Sequence, residues 1–234
     1  MPARDSALVI FARAPRPGAV KTRLGPVFTP EEACEIHLAL AGDVVERSLR
    51  AVGRIAEVVL SWSEAPAAGS LPAGFPSADA TELQGKGDLG ERMALTMQAR
   101  LRGGYRRVAI LGSDVPTLPD DHLRSAFELL GTREVVLGPA TDGGYYLIGM
   151  SRLHLNLFRG MEWGSSGVIA ATKKRLKSAR VPHGEIGPWH DVDTAEDVSR
   201  LWGELTQLKA RHPEALPTRT WEVLRRLAPG RAAG

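Results

Sequence analysis

The residues with the clearest chemical potential lie at the end of a short apolar run. Val108 to Leu111 reads as a strand buried on both faces, and it breaks at Gly112 into Ser113, Asp114 and Pro116. A carboxylate just past the end of a buried strand sits where open α/β sheets bind ligands. There Asp114 could hold a divalent cation, Mg2+ or Mn2+, and the cation could hold phosphates. The plain alternative is a turn, since Asp and Pro are ordinary turn residues. A second set follows the first apolar run, Ala7 to Ala12. Arg13, Arg16, Lys21 and Arg23 are set among Pro15, Pro17 and Gly18. Guanidinium forks and an ammonium in a stiff loop suit a diphosphate or triphosphate cradle, with Gly18 allowing close backbone approach. The alternative is a solvated basic loop. The glycine spacing of a P-loop and the G-x-G-x-x-G fingerprint are both missing.

Three further stretches carry candidates. Gln84 to Arg92 places Gly85, Gly87 and Gly90 around Lys86 and Asp88, as a loop against a flat base would; the bland reading is a turn in which Asp88 caps the next helix. Asp142-Gly143-Gly144-Tyr145 either presses backbone against an acceptor or makes an Asp-Gly hairpin turn, and the two are compatible. Trp189 to Thr194 holds Asp191 and Asp193 about Val192; on a strand the two carboxylates would share a face and could complete a metal site with Asp114. Trp163 is expected either to line a pocket or to close the core.

The elements that must position these groups are readable in outline. Thr29-Pro30-Glu31-Glu32 has the form of a capping box with proline at the first helical position, opening a helix to about Leu49. Glu57–Trp62 is a strand, and Ala65–Ala80 a surface loop. Met93, Met97 and Leu101 give a helix its apolar face. Thr117 can cap a helix over Pro119–Leu130. Glu134–Leu137 is a strand, followed by a β-rich run after Gly144. Ser165 or Ser166 is expected to cap a helix reaching about Lys177, whose basic residues read as a solvated face. A short strand lies within Ala179–Gly187, Thr194 caps a helix over Ala195–Arg211, and Thr218–Leu227 makes one more, with Pro229–Gly234 frayed. These features describe one α/β unit, residues 1–211, with 212–234 as its helical extension.

Composition narrows the class. The chain has 234 residues, 43% of them hydrophobic, with a formal net charge of +3. That balance does not suggest a nucleic-acid binder, yet leaves Arg and Lys for a phosphate-bearing small ligand. The single cysteine, Cys34, excludes an internal disulfide and a cysteine zinc site. Neither a signal peptide nor a membrane span is expected, so a cytoplasmic protein is the default.

Taken together, the motifs Val-Lys-Thr-Arg-Leu at 20–24, Asp-Leu-Gly-Glu-Arg at 88–92, Gly-Ser-Asp-Val-Pro at 112–116 and Asp-Gly-Gly-Tyr-Tyr-Leu-Ile-Gly at 142–149, with Trp-Gly-Ser-Ser and Asp-Val-Asp-Thr, resemble the bacterial DUF2064 family, often labelled glycosyltransferase-like. The likeness spans about Val9 to Asp197. More distantly the chain is similar to the GT-A nucleotide-diphospho-sugar transferase superfamily, which includes the phospholactate and molybdenum cofactor guanylyltransferases. The resemblance implies a single-domain GT-A fold: a mixed, mainly parallel sheet with helices on both faces, a nucleotide over the first half, and a metal on the strand-end aspartate. The expected reaction is metal-dependent glycosyl transfer from a nucleotide-sugar to a small-molecule acceptor. Asp114, Lys21 and Asp142 would be catalytic, and Asp114, Asp193 and Asp191 would hold the metal. Arg13, Gly18, Lys21, Arg23, Gly87, Asp88 and Ser113 would bind the nucleotide. Gly143, Gly144, Tyr145 and Trp163 would meet the acceptor, with Asp142 or His190 as candidate base. The alternative is nucleotidyl transfer from an NTP to a phosphorylated or carboxylated acceptor with release of pyrophosphate. The Pro-rich loop 13–24, standing where the pyrophosphorylase branch has a Gly-rich one, weakens that alternative. A third reading, a binding module without activity, sits poorly with Lys21, Asp114 and Asp193 all present.

Overall fold

The computed structural model describes residues 4–227. Seven strands form one sheet: β1 (Ser6–Ala12), β2 (Glu57–Trp62), β3 (Ala80–Leu83), β4 (Arg107–Gly112), β5 (Val135–Pro139), β6 (Tyr145–Met150) and β7 (His183–Glu185), in the spatial order β3-β2-β1-β4-β6-β5-β7. All pairings are parallel except those of β6, which runs against β4 and β5. The mixed, mainly parallel α/β fold expected from the sequence is therefore present. The chain winds outward from β1 to β3, then returns to β4 on the other side of β1. Ligands bind at such switch points, beyond the carboxyl ends of the strands. Because β6 is antiparallel, its beginning lies at the same edge as the end of β4. The β5–β6 hairpin thus brings Asp142 and Tyr145 beside Asp114.

Six helices cover the sheet: α1 (Pro30–Val52), α2 (Leu89–Arg102), α3 (Asp120–Leu129), α4 (Val168–Ser178), α5 (Ala195–Arg211) and α6 (Thr218–Leu227). Alternation along β1 sorts the core. Leu8 and Ile10 join Val44 of α1 and Phe127 of α3 on one face, while Val9 joins Met93 and Met97 of α2 and Leu176 of α4 on the other. A third cluster places Ile36 and Leu40 of α1 against Val198, Leu201 and Leu205 of α5 and Trp221 and Leu224 of α6. Helix α1 is consequently enclosed on two sides, and residues 212–227 complete its cover rather than trailing from the domain. No helix among the described residues is long and apolar enough to cross a membrane.

Several local expectations are corrected. β3 was not anticipated within 81–92: it is a four-residue edge strand with alternating half-buried positions, and it lacks an apolar run. α1 continues three residues beyond Leu49. Thr117 does not cap α3, which begins after Pro119 without a side-chain cap; the Thr117 hydroxyl donates to Glu204 instead. Neither Ser165 nor Ser166 caps α4, whose N-cap is Gly167. The Ile169 N–H of its first turn donates to the Gly143 carbonyl at 2.9 Å, so the hairpin does the work assigned to serine. The stretch 190–193 is irregular, with only an isolated bridge at Trp189, so Asp191 and Asp193 do not share a strand face. The capping boxes of α1 and α5 form as expected. Residues 229–234, expected to fray, lie outside the described residues.

Helix α6 is capped from another helix. Asp43 of α1, only 4% exposed, accepts the Arg219 N–H at 3.2 Å and the Thr220 N–H at 2.7 Å. Burial raises its carboxyl above the usual range, against the opposing pull of these hydrogen bonds and Arg219. Asp43→Ala would leave two helix-end donors unpaired, at a cost of about 1–3 kcal/mol. Urea denaturation should show that loss, with Asp43→Asn losing less.

Candidate active site

Lys21 stands at the centre of the site. The loop after β1 turns at Gly18 (φ +78°), is anchored by buried Val20, passes through Lys21 in the left-handed region (φ 49°), and is anchored again at buried Leu24 in a short 3-10 turn. With Val20 one residue before it and Leu24 three residues after it both buried, the lysine side chain turns inward, with 4% of its surface exposed. Its Nζ donates to Asp193 Oδ1 at 2.8 Å, to the Val192 carbonyl at 2.6 Å, and pairs with Asp114 Oδ2 at 2.9 Å. Three donors meet three protein acceptors. Burial pulls the ammonium pKa down, but attraction to Asp114 and Asp193 outweighs it and the group stays charged. Burial would likewise raise Asp114, yet the Lys21 ammonium holds its carboxyl below the usual range.

His37 was not singled out in the sequence, where it reads as one residue of the α1 core stripe. Its Nε2 lies 2.9 Å from the Arg13 carbonyl and must donate to it. The neutral ring then presents an unprotonated Nδ1, 3.9 Å from Asp114 Oδ1. Burial lowers the His37 pKa despite the nearby Asp114. Gln84 was also overlooked. Its amide donates to the Ala12 and Ser61 carbonyls at 3.2 and 2.8 Å, and its oxygen accepts from Arg92 at 2.6 Å, which fixes that guanidinium at the cleft. A polar residue inside an otherwise apolar helical stripe was the signal available for His37; Gln84 gave none.

One cleft, in two halves, runs along this edge of the sheet. The larger half, about 400 Å³, is lined by Arg13, Lys21, Arg23, Ser113, Asp114 and Asp193, as expected, together with His37, Gln84 and Arg92. The smaller, about 210 Å³, is lined by Asp142, Gly144, Tyr145, Trp163 and Asp191 over an apolar floor. Asp114 lines both. Within the smaller half, burial and then repulsion from Asp193, Asp142 and Asp114 push the Asp191 carboxyl up to about 6.

Five predicted residues line neither half. Gly18 shapes the loop. Asp88 caps α2 in a capping box with Glu91, the bland reading of that motif. Gly87 (φ +110°) leads into that box, where a Cβ would meet the Glu91 side chain. Gly143 (φ +93°) packs on Ser166, whose carbonyl a Cβ would approach to 2.1 Å. His190 is also absent from the cleft: it pairs with Glu204 at 2.9 Å and stacks on Trp189. Trp163 sits edge-on to Tyr145 and against Gly90, where a Cβ would come within 2.4 Å of its indole nitrogen.

Among the described residues, no three His, Cys, Asp or Glu side chains converge as a metal cage. Asp114 and Asp193 instead converge on an ammonium, and Asp191 stands in the other half. Two carboxylates at a phosphate-sized cleft nevertheless match the way Mg2+ is held, by one or two protein carboxylates with waters and substrate phosphates making up the rest. The donor set fits a cation that arrives with its nucleotide.

A family model described as an uncharacterized protein conserved in bacteria, DUF2064, matches residues 33–165. The chain belongs to DUF2064. No curated protein matches this DUF2064 chain in sequence. Among solved structures it is similar to a candidate nucleotide-diphospho-sugar transferase from Desulfovibrio desulfuricans G20, with 30% identity, 97% of this chain and 96% of that one covered, and a TM-score of 0.79. It shares its fold with a CMP-2-keto-3-deoxy-manno-octonic acid synthetase solved with CTP (14% identity, 86% and 98% covered, TM-score 0.54). It also shares it with Rv0371c from Mycobacterium tuberculosis H37Rv solved with manganese (18% identity, 86% and 98% covered, TM-score 0.50).

Two predictions follow from the Lys21 cluster. Breaking a buried ion pair costs about 3–5 kcal/mol. Asp114 and Asp193 keep 31% and 39% of their side-chain surface exposed, which moderates the loss. Lys21→Met should therefore destabilise by about 3 kcal/mol or less in EDTA, and Mg2+ should raise the melting temperature of the variant more than that of the parent. For His37, a pKa held below its ordinary 6.5 means that protonation favours the unfolded chain. Stability is complete above that value and falls as the pH drops through it. His37→Gln keeps the donor to Arg13 and should show a smaller drop in urea midpoint between about pH 7 and about pH 5.

Proposed function

We propose that this DUF2064 protein is a glycosyltransferase that takes a nucleoside diphospho-sugar as donor and uses a divalent cation at Asp114. The observation that carries this reading is the division of charge in the cleft. Arg13, Lys21, Arg23 and Arg92 all line the larger half, and no Lys, Arg or His lines the smaller. A nucleotide diphosphate belongs in the first, with its sugar ending at Asp114, where the second half opens for the acceptor. Arg13, Arg23 and Arg92 carry the diphosphate charge as the leaving group departs. Lys21 fixes the carboxylates of Asp114 and Asp193 so that they face the phosphates together. When bound there, the cation supplies Lewis-acid stabilisation of the departing diphosphate. Asp142, at the mouth of the smaller half, takes the proton of the acceptor. The fold shared with D. desulfuricans and CTP-binding relatives supports nucleotide chemistry of this kind.

Nucleotidyl transfer is the second reading, and one observation favours it: the guanidiniums of Arg13, Arg23 and Arg92, together with a divalent cation, exceed the charge of a diphosphate. Melting temperature against NTPs, NDPs and NDP-sugars, with and without Mn2+, separates the two. A ligand at a hundredfold its Kd adds about 2.7 kcal/mol. The largest, metal-dependent shift is expected with an NDP-sugar, without pyrophosphate release from any NTP, and Asp114→Asn should abolish the metal dependence. A larger NTP shift with pyrophosphate release would establish the second reading instead; equal shifts in Asp114→Asn would mean binding without this chemistry.

A further inference from the structure

The smaller half of the cleft has a composition that the donor alone does not explain. Its floor is Met93, Ile110 and Ile148, its wall is the edge-on pair Tyr145 and Trp163, and its mouth carries Asp142 and Asp191. Lys21 serves Asp114 and Asp193, and no cationic side chain serves the other two. The volume, about 210 Å³, exceeds the roughly 150 Å³ of an apolar cavity that accepts a benzene ring.

From these features we infer that the acceptor is a non-anionic nucleophile, an amine or an alcohol, with an apolar body about the size of one ring. The body lies between the Met93–Ile110–Ile148 floor and the Tyr145–Trp163 pair. The nucleophilic group lies at the mouth, where the Asp142 carboxylate accepts its proton. A phosphate or carboxylate at the mouth would face two unpaired like charges. This inference rests on the transferase reading only for the word acceptor; the binding chemistry stands on the cleft itself.

Three probes of one shape test it: benzylamine, benzyl alcohol and benzoate, compared by saturation-transfer NMR in EDTA, so that no bound cation offsets the carboxylates. Benzylamine and benzyl alcohol are expected to bind, and benzoate at least about tenfold more weakly. Asp142→Asn combined with Asp191→Asn, both isosteric, should narrow that difference, and Trp163→Ala should weaken all three. Because Trp163 also packs on Gly90, its circular dichroism is checked, and the Asp pair alone suffices if it unfolds. Benzoate binding as tightly as benzylamine, absence of binding by all three, or a charge preference unchanged in the Asp pair overturns the inference. The donor reading fails separately, when no nucleotide-sugar shifts the melting temperature although the ring probes bind in the expected order.

Discussion

A single ammonium holds the catalytic edge of this protein together. Lys21 joins segments far apart in sequence: the loop after β1, the end of β4 at Asp114, and the irregular stretch at Val192 and Asp193. Burying a lone charge is prohibitive, so the lysine can occupy this position only while all three partners are in place. The dependence runs both ways, because Asp114 and Asp193 tolerate proximity through the charge between them. Even the strained backbone at Lys21 belongs to this arrangement: a left-handed residue without glycine's freedom is held there by Val20 on one side and Leu24 on the other.

The packing of α1 makes that arrangement rigid. The helix is enclosed between the sheet and the α5–α6 pair, so its polar residues are internal fittings: His37 under the Arg13 carbonyl, Asp43 at the start of α6, and Arg47 bridging the Pro116 and Ala215 carbonyls and Asp120. Each links the loop, the C-terminal helix or the β4–α3 connection to one central rod. The larger half of the cleft therefore inherits the stiffness of the core instead of the mobility usual for loops.

Much of this was open to reading from the chain. The apolar runs of β1 and β4 and the Thr29 and Thr194 capping boxes are local signals with strong physical causes, and so is the Asp-Gly hairpin. Asp114 stands just past the end of β4, where its apolar run puts it, whereas Lys21, read as one cation of a phosphate cradle, turns inward onto Asp114 and Asp193. What stayed hidden depends on distant partners. β3 exists because β2 offers it an edge, and nothing in Ala80–Leu83 announces it. Ser165 and Ser166 resemble caps, yet the Gly143 carbonyl fills that role. Asp191 and Asp193, two residues apart, part company because the segment between them does not pair as a strand. Gln84 acts through backbone carbonyls of other segments, contacts that leave no pattern in a single sequence, and His37 shows only as a polar residue in an apolar stripe. The Gly-rich stretch at 85–90 illustrates the reverse, a motif suggestive of a base whose glycines serve a helix start and a tryptophan.

The one antiparallel strand gives the two halves of the cleft separate origins in the chain. Because β6 folds back, the smaller half of the cleft is furnished chiefly by a hairpin and the loop ahead of α4, whereas the larger half is furnished by β1, its loop and the start of α2. Asp114 is the hinge of this division of labour. A change in the hairpin or in the loop ahead of α4 can therefore reshape the smaller half while the Lys21 cluster and the walls of the larger half stay as they are.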